Sequence, residues 1–120
     1  MLPRAARLKR NRDFRAVYSR RRSYSTEHIV MYIRQRPQGA DGIRFGFVIS
    51  KKIAKKAHDR NKLKRRLREI CRVGIARNDF QVARYDVLIV ARIGAPSQDF
   101  ARLVADVETL SRQAGLVTCS

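Results

Sequence analysis

The chain has 120 residues, 44% of them hydrophobic, which is enough for one packed domain and too many for a disordered basic tail. Lys and Arg number 28 against 10 Asp and Glu, a formal net charge of +18 spread along the whole sequence. That excess goes beyond what solubility requires and calls for a large anionic partner, nucleic acid before an anionic membrane.

Residues 1–10 read as a short, flexible basic arm on a single domain spanning residues 1–120. The arm lacks the apolar stretch of a signal peptide, and no later run approaches the ~18 apolar residues of a membrane span. The expectation is therefore a cytoplasmic protein with no membrane partner. Asn11 is a favoured N-cap type and opens a helix over residues 12–19, with Phe14 and Tyr18 on one face and Val17 beside them. After Arg20, Arg21 and Arg22, residues 23–26 read as a short edge strand.

Residues 28–34 alternate as a strand does: Ile29, Met31 and Ile33 point one way, and His28, Val30, Tyr32 and Arg34 the other. Residues 37–42 form a turn, and residues 44–50 a second strand, expected to be antiparallel to the first across this short connection. Phe45, Phe47 and Ile49 share one face; Gly46, Val48 and Ser50 share the other, with Gly46 a point of close backbone approach.

Residues 51–57 are a loop with four Lys in seven positions. The densest signal follows. In residues 59–72, seven of fourteen positions are Arg or Lys, yet an apolar stripe runs through them. At about 100° per residue, Leu63, Leu67, Ile70 and Gly74 fall on one side, flanked by Cys71 and Val73. Asn61, Lys64, Arg65, Arg68 and Arg72 fall opposite. This is a helix packed by one face and cationic on the other, with Gly74 ending or interrupting it. The pairs Lys64/Arg68 and Arg68/Arg72 repel at i,i+4, and the cationic first turn opposes the helix dipole, relieved nearby by Asp59 alone. A polyanion along the strip would offset both costs.

Residues 86–91 are nearly all apolar, the signature of a central strand buried on both faces. Pro96 and Ser97 break the chain. A last helix over residues 98–114 carries an apolar stripe of Phe100, Leu103, Val104, Val107, Leu110 and Ala114, and Gly115 suits its C′ position.

Catalytic chemistry is hard to assemble from these residues. The ten carboxylates are scattered, and neither His28 nor His58 has a partner at ligand spacing, so a surface or strand role is expected for both. Cys71 lies on the apolar side of its helix as a small buried hydrophobe, and Cys119 is far from it, which argues against a disulfide framework. Phe14, Tyr18 and Tyr32 admit two readings: core aromatics, or platforms for unpaired bases beside Arg12, Arg15, Arg20 and Arg34. Three functions fit these residues to different degrees. A ribosomal protein fits charge and size; a helix-turn-helix protein fits less well, because the basic helix lies between strands; a self-contained nuclease fits least.

Phe45-Gly46-Phe47-Val48-Ile49-Ser50-Lys51-Lys52, followed by Arg60-Asn61-Lys62-Leu63-Lys64-Arg65-Arg66-Leu67-Arg68-Glu69, strongly resembles the protein component of bacterial ribonuclease P. The family pattern is a G-x-x-x-S-K-K strand end and an R-N-R-x-K-R-x-x-R helix. The resemblance extends to Asp13-Phe14, to residues 86–92 and to the final helix. One departure is Lys62 in the third position of the R-N-R triplet, which keeps the charge and loses the planar fork. The resemblance implies an α/β (α+β) two-layer sandwich, a mostly antiparallel four-stranded sheet with three helices and one left-handed strand-helix-strand crossover. It implies the protein subunit of an endoribonuclease that removes the 5′ leader of precursor tRNA. Catalysis and magnesium then belong to the RNA subunit, with no cofactor or metal on this chain and no stable protein partner. Arg60, Asn61, Lys62, Lys64, Arg65 and Arg68 match the residues that dock on the RNA subunit. Phe14, Tyr18, Tyr32, Ser50, Lys51 and Arg92 match the cleft that holds the leader.

Overall fold

A computed structural model describes residues 6–19, 22–36, 42–76 and 84–116. In chain order these form α1 (Asn11–Ser19), β1 (Ser23–Ser25), β2 (Ile29–Gln35), β3 (Gly42–Val48), α2 (Ala57–Ala76), β4 (Arg84–Ala91), a 3₁₀ turn (Ala95–Ser97) and α3 (Phe100–Gln113). One four-stranded sheet has the order β1-β2-β4-β3. β2 is antiparallel to β1 and to β4, whereas β3 and β4 run parallel across the α2 crossover. The α+β sandwich and its strand-helix-strand unit are as expected, with the sheet mixed.

β2 and β3 run in opposite directions but do not pair, because β4 lies between them. Hydrophobicity decides this. Val87, Leu88 and Ile89 are fully buried, so β4 takes the position covered on both faces and both edges. The short connection constrains the direction of β3, not its neighbour. Two strand spacings are roughly 10 Å, well within reach of a six-residue link.

The two sheet faces carry two cores. On one, Ile29, Met31, Ile33, Phe45, Val87 and Ile89 pack against Leu63, Leu67 and Cys71 of α2 and Leu103, Val107 and Leu110 of α3. On the other, Leu88 packs with Val17 of α1 and Leu8, joined by half-buried Phe14, Tyr32, Val48 and Val90. Gly46 provides a close approach here, but of a ring rather than a backbone. A Cβ at Gly46 would stand 2.7 Å from Cε1 of Phe14.

Four further expectations are corrected. The basic arm is anchored over its second half: Leu8 is buried, and its N–H donates to Phe45 O at 2.8 Å, tying it to the outer edge of β3. Residues 1–5 lie outside the described residues, as do 37–41 of the expected turn and Cys119. Gly74 neither ends nor interrupts α2, which runs two residues past it. Phe100 falls in the apolar stripe by angle, yet it is 43% exposed, one turn beyond Leu103 at the very start of α3. His28 does not follow the alternation of β2; it sits in the bend before the strand and its Nδ1 meets Asp106 Oδ2 of α3 at 3.0 Å, both residues buried. α3 starts two residues later than expected, with Asp99 as its cap accepting from Arg102 N, and Gly115 follows its end as expected, with φ 73°.

Candidate RNA-binding surfaces

The outer side of α2 is the first surface. Leu63, Leu67, Ile70 and Cys71 bury its inner side, and that burial pushes the Cys71 thiol up, far from reactivity. Asn61, Lys62, Arg65 and Arg68 are exposed and Lys64 half-buried. None of these five side chains has an ion pair or a hydrogen bond among the described residues. Arg60, which the resemblance matches to the docking residues, is engaged within the protein. Its Nη1 donates to Ala54 O at 2.9 Å and Lys55 O at 2.8 Å, so it braces the loop before the helix. Arg72 is likewise engaged, donating to Glu69 at 2.9 and 2.6 Å, and this holds the Glu69 carboxyl below its ordinary range.

The second surface is the face of the sheet that α1 partly covers. Cross-strand register arranges it in rows: Arg34, Asp86 and Arg44; then Tyr32, Leu88 and Gly46; then Val30, Val90 and Val48. Tyr18 reaches over from α1, its ring centroid 4.9 Å from that of Tyr32 at 58°. Partial burial raises the Tyr18 phenol, and the neighbouring Tyr32 raises it further. Tyr18 remains 40% exposed, while Phe14 is half-buried over Gly46. Two residues beyond the valine row lie Ser50 and Arg92, both exposed, with exposed Lys51 next in sequence. Arg92 spends one N–H on Thr26 O at 2.9 Å. The six expected leader residues therefore do not form one cluster. An aromatic end and a cationic end are separated by a half-buried valine floor, about 13 Å at strand rise.

The first row is a device that the sequence did not announce. Asp86 is 0% exposed. It accepts from Arg36 Nη1 at 2.6 Å and from Arg44 Nε and Nη2 at 2.8 and 2.7 Å, and Arg34 Nη1 stands 4.0 Å away. Asp13 of α1 lies 3.9 Å from Arg44. The hydrogen bond from Arg44 to Asp86 raises the guanidinium further still. One buried carboxylate thus gathers three arginines beside the aromatic pair.

The family model of ribonuclease P matches residues 2–115. The chain belongs to the ribonuclease P protein family. It is 33% identical to the ribonuclease P protein component of Synechocystis, over 97% of this chain and 90% of that one, and 36% identical to that of Desulfovibrio desulfuricans, over 94% and 85%. Among solved structures, the RNase P protein of Staphylococcus aureus superposes with a TM-score of 0.81 at 26% identity, covering 96% of this chain and all of that one. The RNase P protein of Thermotoga maritima gives 0.75 at 29% identity, covering 88% and 96%.

Several carboxylates of this ribonuclease P protein are already engaged within the fold. Asp86 is committed to arginines, Asp106 to His28 and Glu69 to Arg72. Among the described residues no three His, Cys, Asp or Glu gather as a metal site, and no helix is long and apolar enough to cross a membrane. Two sets of site residues escaped the sequence reading. The valine floor was readable from strand alternation; the Asp86 hub was not.

Proposed function

We propose that this chain is the protein subunit of ribonuclease P, and that it holds two RNA elements at once. α2 docks its outer face on the catalytic RNA subunit through Asn61, Lys62, Lys64, Arg65 and Arg68, with Arg60 keeping the preceding loop in place. On the opposite face of the sheet, the single-stranded 5′ leader of precursor tRNA runs from the Tyr18/Tyr32 pair over Val30, Val48 and Val90 to Ser50, Lys51 and Arg92. Bases stack on the aromatic end and phosphates are neutralised at the cationic end. Cleavage takes place in the RNA subunit, which holds the magnesium, in the cytoplasm; the protein raises affinity for leader-bearing substrate.

The observation that carries this reading is the placement of the two surfaces on opposite sides of one sheet. A protein built that way can bridge a ribozyme and its substrate without the two competing. The test is reconstitution at low magnesium with the RNA subunit. Adding the chain should lower the concentration of precursor tRNA needed for cleavage and leave mature tRNA binding unchanged. Equal effects on both tRNAs would refute the leader track. Recovery of the chain from cells with intact ribosomal subunits, and without one long RNA carrying tRNA-processing activity, would favour a ribosomal role.

A further inference from the structure

The flank of α2 that faces the 3₁₀ turn encloses a half-open pocket of about 280 Å³, lined by Asp59, Lys62, Leu63, Arg66, Pro96 and Ser97. That is near the lower limit of small-molecule sites, about 300 Å³. Its chemistry is mixed in an informative way. Leu63 is buried and, with Pro96, provides an apolar floor. Lys62 is exposed at the rim. Arg66 spends one N–H on Gln98 O at 3.3 Å, leaving the others of its guanidinium available. The Asp59 carboxylate forms no ion pair among the described residues, although Lys62 lies three positions along the same helix.

A site for bare phosphate has no use for a carboxylate or an apolar floor. A nucleotide has a use for each part. Its base fits against Leu63 and Pro96, its phosphate beside Lys62 and Arg66, and a base N–H donates to Asp59. RNA presents such bases where loops and bulges leave them unstacked. We propose that this pocket receives one unstacked nucleotide of the RNA subunit as α2 docks, so that α2 reads a local RNA shape as well as neutralising phosphates. The proposal rests on the docking reading above.

Asp59→Asn separates the two. It removes a negative charge that faces a polyanion, so a purely cationic strip would bind the RNA subunit more tightly. The pocket predicts the reverse, a loss of about tenfold as the charged acceptor of the base N–H becomes a neutral one, with the melting temperature lowered only slightly by loss of the carboxylate in the first turn of α2. Ser97→Phe fills the pocket without altering charge. It should weaken binding by a similar factor, leave the salt dependence of affinity as it is, and abolish a single-nucleotide change in chemical reactivity that the wild-type protein induces in the RNA. Arg65→Ala, outside the pocket, is measured alongside. If it weakens binding while Asp59→Asn and Ser97→Phe bind as tightly as wild type or tighter, the pocket is overturned and the docking face stands. If Arg65→Ala has no effect either, the docking reading falls and takes the pocket with it.

Discussion

The two faces of the sheet use arginine in opposite ways. On α2, Arg65 and Arg68 are exposed and have no acidic partner among the described residues. On the other face, Arg34, Arg36 and Arg44 gather around Asp86 and hold three strand segments together. The lesson is that charge alone does not identify a binding residue. An unpaired cation on a rigid helix is available to RNA, whereas a cation already bonded to a buried carboxylate belongs first to the fold. Substitutions on α2 should therefore change affinity at constant stability, and substitutions in the Asp86 row should do the opposite.

The largest effect is expected at Asp86. Asp86→Ala leaves Arg36 and Arg44 close together and partly buried without the carboxylate they share, and Asp13, 3.9 Å from Arg44, offsets that loss only in part. Breaking such a pair from one side costs about 3–5 kcal/mol, which urea unfolding would show. The fraction that remains folded should bind the RNA subunit as wild type does. A normal unfolding midpoint for Asp86→Ala would break the comparison.

The aromatic end sharpens it. Phe14 is half-buried against Gly46 and Leu8, so Phe14→Ala should lower stability by about 2 kcal/mol, roughly half the cost of a fully buried ring, and weaken precursor tRNA binding as well. Tyr18 is the cleaner probe. Tyr18→Ala should spare the melting temperature and reduce precursor affinity by about 1–3 kcal/mol, with mature tRNA unaffected. Gly46→Ala tests the same spot from beneath. Its Cβ would meet the Phe14 ring, and the overpacking should cost about 1–3 kcal/mol. A stable Gly46→Ala protein with normal precursor binding would show that the ring moves freely and is no fixed part of the leader track.

These contrasts were only partly legible in the sequence. Periodicity revealed α1, α2 and α3, and the unbroken apolar run of residues 86–91 revealed the central strand, because burial on one face or two imposes local patterns. Partners distant along the chain left no such trace. Arg36 and Arg44 are 50 and 42 residues from Asp86, and His28 is 78 from Asp106. His28 looked like a strand residue because alternation cannot tell that the chain bends just before Ile29. Arg60 read as a docking residue because the family pattern and its charge fit. Only the approach of the Ala54 and Lys55 carbonyls makes it a brace. Strand order failed for a related reason: a short connection records direction, while adjacency is settled by which strand most needs covering.

Smaller effects belong to the outer face of α2. Arg65→Ala and Arg68→Ala should each weaken RNA-subunit binding and shallow the log-log salt dependence by up to about one unit, the signature of one lost phosphate contact. Melting temperatures should not fall, and that of Arg68→Ala should rise slightly as two i,i+4 repulsions are relieved. An unchanged salt slope in both variants would remove these residues from the docking face.

The subtlest test compares two carboxylates on that helix, because the same change of charge should have opposite consequences. Glu69 holds Arg72 through two hydrogen bonds and is itself held below the ordinary carboxylate range by them. A carboxyl whose folded pKa is depressed stabilises the fold above its unfolded pKa, and that contribution disappears as pH falls through the lower, folded value. Helical circular dichroism of wild type should therefore soften slightly below about pH 4, and Glu69→Gln should remove that part of the acid response. At neutral pH, Glu69→Gln also releases Arg72 toward the partner and adds one positive charge to the strip. RNA-subunit binding should then tighten, with a salt slope steeper by up to about 0.9 unit. Asp59→Asn makes the same change of charge, yet should weaken binding, because Asp59 lines the pocket and is bonded to no cation among the described residues. Tighter binding by both variants would reduce α2 to a charge strip; opposite signs would show that position along the helix, and not its total charge, governs how the protein meets RNA.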